Sequence, residues 1–178
     1  MHHAWIGLGS NLGPGIAILH AAWEELGHRN KIATLALASP YCTAPVEMAS
    51  EHLFTNSAGL LATSLAPEGL LDVLLEIEAR FGRHRPPSGA VRTLHEDRPL
   101  DLDLLCYDDM VLQGPRLTLP HPRMHQRLFV LTPLAEISPT LVIPGTDLPV
   151  SRVLARVAAV ESGFLPRRLA WRPERIGG

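Results

Sequence analysis

Lysine is almost missing from this chain. Lys31 is the sole lysine, although Lys and Arg together number 16. Basic charge is therefore carried by arginine, and the net charge at pH 7 is only −2. That balance excludes a general nucleic-acid or membrane-surface binder, which needs a field of one sign. Any anion site must come from local clustering, and arginines do cluster over 80–98 and 116–127. Cysteine is scarce too. Cys42 and Cys106 lack metal-ligand spacing, lie in apolar stretches and read as two buried thiols, which fits a reducing compartment. No apolar run approaches the roughly 20 residues that span a bilayer. The first residues lack the basic, apolar and cleavable pattern of a secretory leader. A cytoplasmic protein is expected.

What is present forms a core. With 178 residues, 46% hydrophobic and 19% charged, the chain suits one globular domain. Residues 1–165 are expected to form it, with 166–178 as a charged C-terminal tail. The most informative stretch is Arg98-Pro99-Leu100-Asp101-Leu102-Asp103-Leu104-Leu105. Read as a strand, it puts Leu100, Leu102 and Leu104 on one face and Asp101 and Asp103 on the other. Two carboxylates so close repel, and a cation would relieve them. Oxygen ligands on a rigid element suit a hard divalent ion such as magnesium. Arg98 adds a fork that fits phosphate. The octet alone equally allows an edge strand with two solvated aspartates.

The other elements follow from pattern. Ala4–Gly9 reads as a buried strand, followed by the turn-forming run Gly9-Ser10-Asn11-Leu12-Gly13. Pro14 to Gly27 reads as a helix, and Ile32–Thr43 as one strand. Phe54–Thr63 reads as another, with Phe54 and Asn56 on one face, where an aromatic and a carboxamide could hold a flat heterocycle. A helix runs from Ala66-Pro67-Glu68 to Gly82, with Glu78 anomalous in its apolar stripe. A Pro/Ser/Gly-rich loop to Asp97 resembles an active-site lid, open without nucleotide and closing on it. After the aspartate strand come a hairpin about Gly114-Pro115, a short helix over 123–136, a short strand at Leu141–Ile143 and a helix over 151–160. His121 is boxed between prolines on a stiff loop. The order β-α-β-β-α-β predicts an α+β, ferredoxin-like antiparallel sheet with helices on one face, plus a C-terminal hairpin and short helices. The open face would carry the polar groups.

These blocks, in this order, resemble the 6-hydroxymethyl-7,8-dihydropterin pyrophosphokinase family of folate biosynthesis. The resemblance rests on Gly7–Gly13, Tyr41-Cys42-Thr43-Ala44-Pro45-Val46, Phe54-Thr55-Asn56, Ile77-Glu78, Phe81-Gly82-Arg83-His84-Arg85 and the aspartate octet. It continues through Leu119-Pro120-His121-Pro122-Arg123-Met124 and Arg127–Leu134. Each block is weak alone; the ordered set is specific. It implies pyrophosphoryl transfer from ATP to the hydroxymethyl group of the dihydropterin, releasing AMP. It implies two magnesium ions on Asp101 and Asp103, with Arg83 and Arg85 also catalytic. Thr43, Ala44, Val46, Phe54, Asn56 and Phe129 match pterin positions. Glu78, Arg85, Arg98, Leu104, Arg116, Thr118, His121 and Arg127 match nucleotide positions. The partners implied are small molecules, and the expected state is a monomer. The chain departs from the family pattern at His95-Glu96-Asp97, where Trp-Gly-Pro is common, and its loop is longer there by about six residues. Ala44 stands where proline is common, and Leu75 where a polar nucleotide contact can occur. The Asp-x-Asp pair alone would also allow a phosphodiester-cleaving metalloenzyme, and the element order alone a non-catalytic ligand-binding domain.

Overall fold

The structure is a computed structural model, and it describes residues 1–45, 51–83, 97–161 and 163–171. Its elements in chain order are β1 (His2–Ser10), α1 (Gly15–Gly27), β2 (Ile32–Leu37), β3 (Tyr41–Thr43), β4 (Phe54–Thr63), α2 (Pro67–Arg80) and β5 (Asp101–Tyr107). Then come β6 (Leu112–Gln113), β7 (Thr118–Leu119), a 3-10 turn (Met124–Gln126), α3 (Leu128–Ile137), α4 (Val150–Val160) and β8 (Arg167–Arg168). The main sheet runs β5-β1-β4-β3-β8, with β2 also paired to β4. Every pairing in it is antiparallel. Counting β2 and β3 as one broken strand, the first four strand units lie in the order fourth-first-third-second, the arrangement expected of the split βαβ fold.

The strand read as Ile32–Thr43 is broken at Ala38-Ser39-Pro40. Pro40 has no N–H to give a ladder, so the chain bends there and resumes pairing on the same strand. The helix read over 123–136 is likewise a 3-10 turn and a separate helix. Arg127 between them is extended, with φ −115° and ψ 111°. The segment from 166, expected as a tail, contributes β8, whose Arg168 and Arg167 pair with Tyr41 and Cys42.

Helices cover both faces of the sheet. On one face α1 buries Leu19, Ala22 and Leu26, and α2 buries Leu70, Leu74 and Ile77, against Ile6, Leu8, Leu61, Leu102 and Leu104. These spacings give each helix one apolar stripe. On the other, α3 and α4 bury Leu131, Leu134, Val150 and Val153 against Ala58, Leu105 and Ile143. The expectation of helices on one face is thus met only for α1 and α2. The second face keeps its polar groups at one end, where Glu136 of α3 reaches the Tyr41 hydroxyl.

One glycine shows how closely α1 lies. A Cβ added at Gly59 would sit 2.2 Å from Cζ3 of Trp23. A rigid indole cannot yield by that much, so strand or helix must move. Gly59→Ala is expected to destabilise the protein by about 2 kcal/mol, a fall of roughly 5 °C in Tm. A thermal melt indistinguishable from wild type would overturn this.

Candidate active site

Strand register assembles the site. Gly9 on β1 lies opposite Asp101 on β5 and opposite Asn56 on β4, and Asn56 lies opposite Tyr41 on β3. Directly opposed residues share a face, so these four form one row across the sheet. The next row places Gly7 between Asp103 and Ala58. The carboxylates of β5 and the amide of β4 are therefore separated by the stretch of β1 at Gly7 and Gly9, which has no side chains on that face. Space at Gly9 is already tight: a Cβ there would come within 2.9 Å of the Asn56 Oδ1 and 3.7 Å of the Asp101 Cβ. Asn56 is buried and donates from Nδ2 to the Thr43 Oγ1 at 2.7 Å. That leaves a defined amide edge held by a hydroxyl. Phe54, opposite Thr43, carries the Arg98 guanidinium 5.8 Å from its ring centroid.

The acids on β5 are crowded, and arginines answer them. Asp101 is paired with Arg83 through one oxygen and with Arg98, at 3.0 Å, through the other. Arg83 also donates to Glu78. Glu78 is 1% exposed, and its Oε1 accepts from the backbone N–H of Leu102 at 2.7 Å. Because β5 is an edge strand, that N–H has no strand partner on its outer side, and the α2 carboxylate supplies one. The anomaly in the helix stripe is thereby explained. Arg83 stays charged: burial opposes its charge, but Asp101 and Glu78 outweigh burial. Asp103 is pushed up to about 7 by burial and by the Asp101 and Glu78 charges, with Arg83 and Arg98 pulling the other way.

This donor set fits magnesium. Two carboxylates share a strand face, and Asp103 is held partly protonated by burial and then by its like-charged neighbours, a condition a divalent cation would relieve. Among the described residues no cluster of three His, Cys, Asp or Glu is placed to hold a metal. An ion here would take two protein carboxylates and complete its shell with phosphate and water oxygens, as magnesium does at nucleotide sites.

The loops at the rim are tied by polar contacts. Asn11 is joined to the residues just before β5: its Nδ2 donates to Asp97 Oδ1 at 2.6 Å, and its Oδ1 accepts from the Arg98 N–H at 2.7 Å. The Asp97 Oδ2 lies 3.6 Å from His52 Nε2. His121 donates its backbone N–H to Leu105 O at 2.8 Å. Burial lowers its imidazole to about 4, reinforced by Arg127 and Arg123 and opposed by Asp101. The ring is therefore neutral near pH 7, a hydrogen-bonding group and not a cation.

Known proteins of the same kind exist. The family model for 7,8-dihydro-6-hydroxymethylpterin-pyrophosphokinase (HPPK) matches residues 5–139. The 2-amino-4-hydroxy-6-hydroxymethyldihydropteridine pyrophosphokinase of Methylorubrum extorquens is 41% identical over 145 residues, 82% of this chain and 88% of that protein. The enzyme of the same name from Bacillus subtilis is 35% identical over 160 residues, 90% of this chain and 92% of its own length. A crystal structure of Plasmodium falciparum HPPK-DHPS with pteroate superposes with a TM-score of 0.70 at 11% identity. It covers 89% of this chain, which spans only 44% of that longer one. The chain belongs to the HPPK family.

As an HPPK, the chain is an ATP-dependent pyrophosphokinase. The structure brings some of the residues expected at its site together and leaves others apart. Asp101, Asp103, Arg83, Arg98 and Glu78 form one connected cluster, and Thr43, Phe54 and Asn56 lie on the same face across β1. Phe129 is half-buried at the start of α3, with the Arg127 guanidinium 5.3 Å from its ring centroid. Arg116 stands apart, exposed and paired with Asp72 on α2 at 2.5 Å. Thr118 is half-buried on β7, Ala44 half-buried after β3, and Leu75 half-buried on α2. Leu104 points into the core against α2, so it meets a ligand through its backbone or not at all. Val46, Arg85, His95 and Glu96, with most of the expected lid, lie outside the described residues. Asp97 does not stand loose among phosphate-binding groups; Asn11 and His52 hold it. The residues missed were Gly7, Gly9 and Asn11. The signal for the glycines was available: two of them two apart in a strand strip one face of side chains.

Asp103 supplies a pH test. Its folded-state carboxyl is held above the ordinary 3.8, up to about 7. Between these values the folded chain keeps a proton that the unfolded chain has lost, so this group's contribution to stability falls as pH rises from about 4 to about 7. In metal-free protein, Asp103→Asn is expected to raise Tm at about pH 8 and to lose that advantage at about pH 4. Equal shifts at both pH values would overturn the assignment.

Proposed function

We propose that the chain transfers the pyrophosphoryl group of ATP to the hydroxymethyl oxygen of 6-hydroxymethyl-7,8-dihydropterin, giving AMP and the pterin diphosphate in folate biosynthesis. One observation carries this reading: the row Asp101–Gly9–Asn56, in which a carboxylate site and a heterocycle-edge amide flank a bare strand on one face. Two substrates can lie side by side there, phosphates over β5 and ring over β4 and β3.

Asp101 and Asp103 would hold magnesium, two ions by the family pattern. When bound, the metal neutralises the phosphate charge and orients the phosphoryl chain. Arg83 and Arg98 already neighbour Asp101, which places their guanidinium groups where phosphate oxygens would lie. Their bidentate forks suit developing phosphate charge. Arg85, Arg127 and neutral His121 add donors on the nucleotide side, with Glu78, Leu104, Arg116 and Thr118 as further nucleotide positions. Asn56 and Thr43 bind the pterin edge, aided by the backbone of Ala44 and Val46. Phe54 and Phe129 cover the ring faces. A site built to pair a polar edge rejects analogues that lack it, because its own buried groups are then left unpaired. The protein works as a monomer in the cytoplasm, a setting that suits two buried free thiols.

With ATP, magnesium and the hydroxymethyl dihydropterin, the product expected is AMP, measured by nucleotide chromatography. ADP, or no turnover, would sink the proposal. Asp101→Ala should lower kcat by about 1000-fold or more. Asn56→Ala should raise the pterin KM at least about tenfold, leaving the ATP KM nearly unchanged. A phosphodiesterase built on the same aspartates would be indifferent to Asn56.

A further inference from the structure

The segment after α4 closes the sheet at the strand that carries Thr43. β3 is three residues long, with Pro40 just before it and Pro45 two residues after it. A strand so short has little pairing of its own. Its inner side meets β4, where Tyr41 faces Asn56 and Thr43 faces Phe54. Its outer side meets β8, and the Leu169 N–H donates to Pro40 O at 2.7 Å.

Two side chains anchor this strap, one on each face of the sheet. Arg168 donates from Nη2 to Glu136 Oε1 at 3.0 Å and from Nε to Ser39 Oγ at 2.8 Å. Trp171 donates from Nε1 to Ala38 O at 3.0 Å and meets the His20 ring of α1 edge-on, with centroids 5.9 Å apart. Glu136 is the hub. It accepts from Ser39 Oγ at 2.9 Å, from the Ser39 N–H at 3.2 Å and from the Tyr41 hydroxyl at 2.9 Å. The Tyr41 hydroxyl is pushed up to about 12, by burial first and then by the Glu136 carboxylate, so it keeps its proton to donate. Glu136 lies on α3, the helix that begins with Leu128 and Phe129. One carboxylate thus joins the helix bearing Phe129 to the strand bearing Thr43, and the strap holds that carboxylate from outside.

We infer that the C-terminal strand, through Arg168 and Trp171, positions the heterocycle subsite: it sets β3 against β4 and α3 so that Thr43 and Phe129 meet the ring in register with Asn56. Among the described residues, the hydrogen bonds and ring contact of Arg168 and Trp171 go to Glu136, Ser39, Ala38 and His20, not to the carboxylates and arginines of the phosphate side. The strap's effect should therefore fall on one substrate. The inference rests on the dihydropterin occupying the Asn56 end of the face.

The test is steady-state kinetics on the full chain carrying Arg168→Ala and Trp171→Ala together. The pterin KM is expected to rise about fivefold or more, while the ATP KM and kcat stay within about twofold. Arg168→Lys, which keeps a cation beside Glu136, should restore part of the loss in the Trp171 background. An unchanged pterin KM would overturn the inference. So would an equal rise in both KM values, which would make the strap a general support of the fold. Asn56→Ala separates the two levels of argument. If Asn56→Ala raises the pterin KM and the strap variant does not, only the strap inference fails. If Asn56→Ala leaves the pterin KM unchanged, the subsite assignment and the strap inference fall together.

Discussion

Three carboxylates, Glu78, Asp101 and Asp103, meet around the edge strand β5, and the protein must keep them there. Glu78 has an evident architectural reason to be there. Glu78 is buried because an edge strand leaves its outward N–H groups without a ladder, and Leu102 needs an acceptor. That carboxylate brings a negative charge to the back of the site, and Arg83 balances it while also pairing with Asp101. Removing one member of such a set strands the others, since an unpaired buried charge costs several kcal/mol. The acids are thus held together by the guanidinium groups of Arg83 and Arg98.

The sheet then sets the distance between the two halves of the site. Asp101 and Asn56 are separated by one strand, so their backbones are two strand spacings apart, about 10 Å. Gly7 and Gly9 keep the intervening face bare. A ligand lying across β1 meets charge at one end and an amide edge at the other. α3 and α4 close the far part of this face over Ala58 and Leu105, so the polar end is a bay in a sheet covered on both sides. Burial around the bay is what lifts Asp103 and keeps His121 neutral.

Much of this was legible in the residues. The alternation of Leu100, Leu102 and Leu104 with Asp101 and Asp103 names both the buried face and the acidic one, because a strand repeats every two residues. The element order and the motif blocks carried the fold and the family. The broken strand at Pro40 and the extended Arg127 were not foreseen, since local composition there favours continuation and the break is decided by what each half packs against. The tail was unreadable for a related reason: Arg167 and Arg168 look like solvated charge until β3 is known to lack an outer neighbour.

The sequence by itself determined which residues could do chemistry, through side-chain type and the two-residue and 3.6-residue periods that sort faces. It determined that two acids share one side of one strand, and that an aromatic and an amide share one side of another. Only the tertiary structure decided that these are the same side of the same sheet, with two glycines between them. It also decided that Glu78 turns inward to cap β5, that Asp97 is held by Asn11 and His52, and that the last strand braces β3. Each of these is a contact between residues far apart in the chain. Such contacts follow from strand order and register, and no local pattern encodes them.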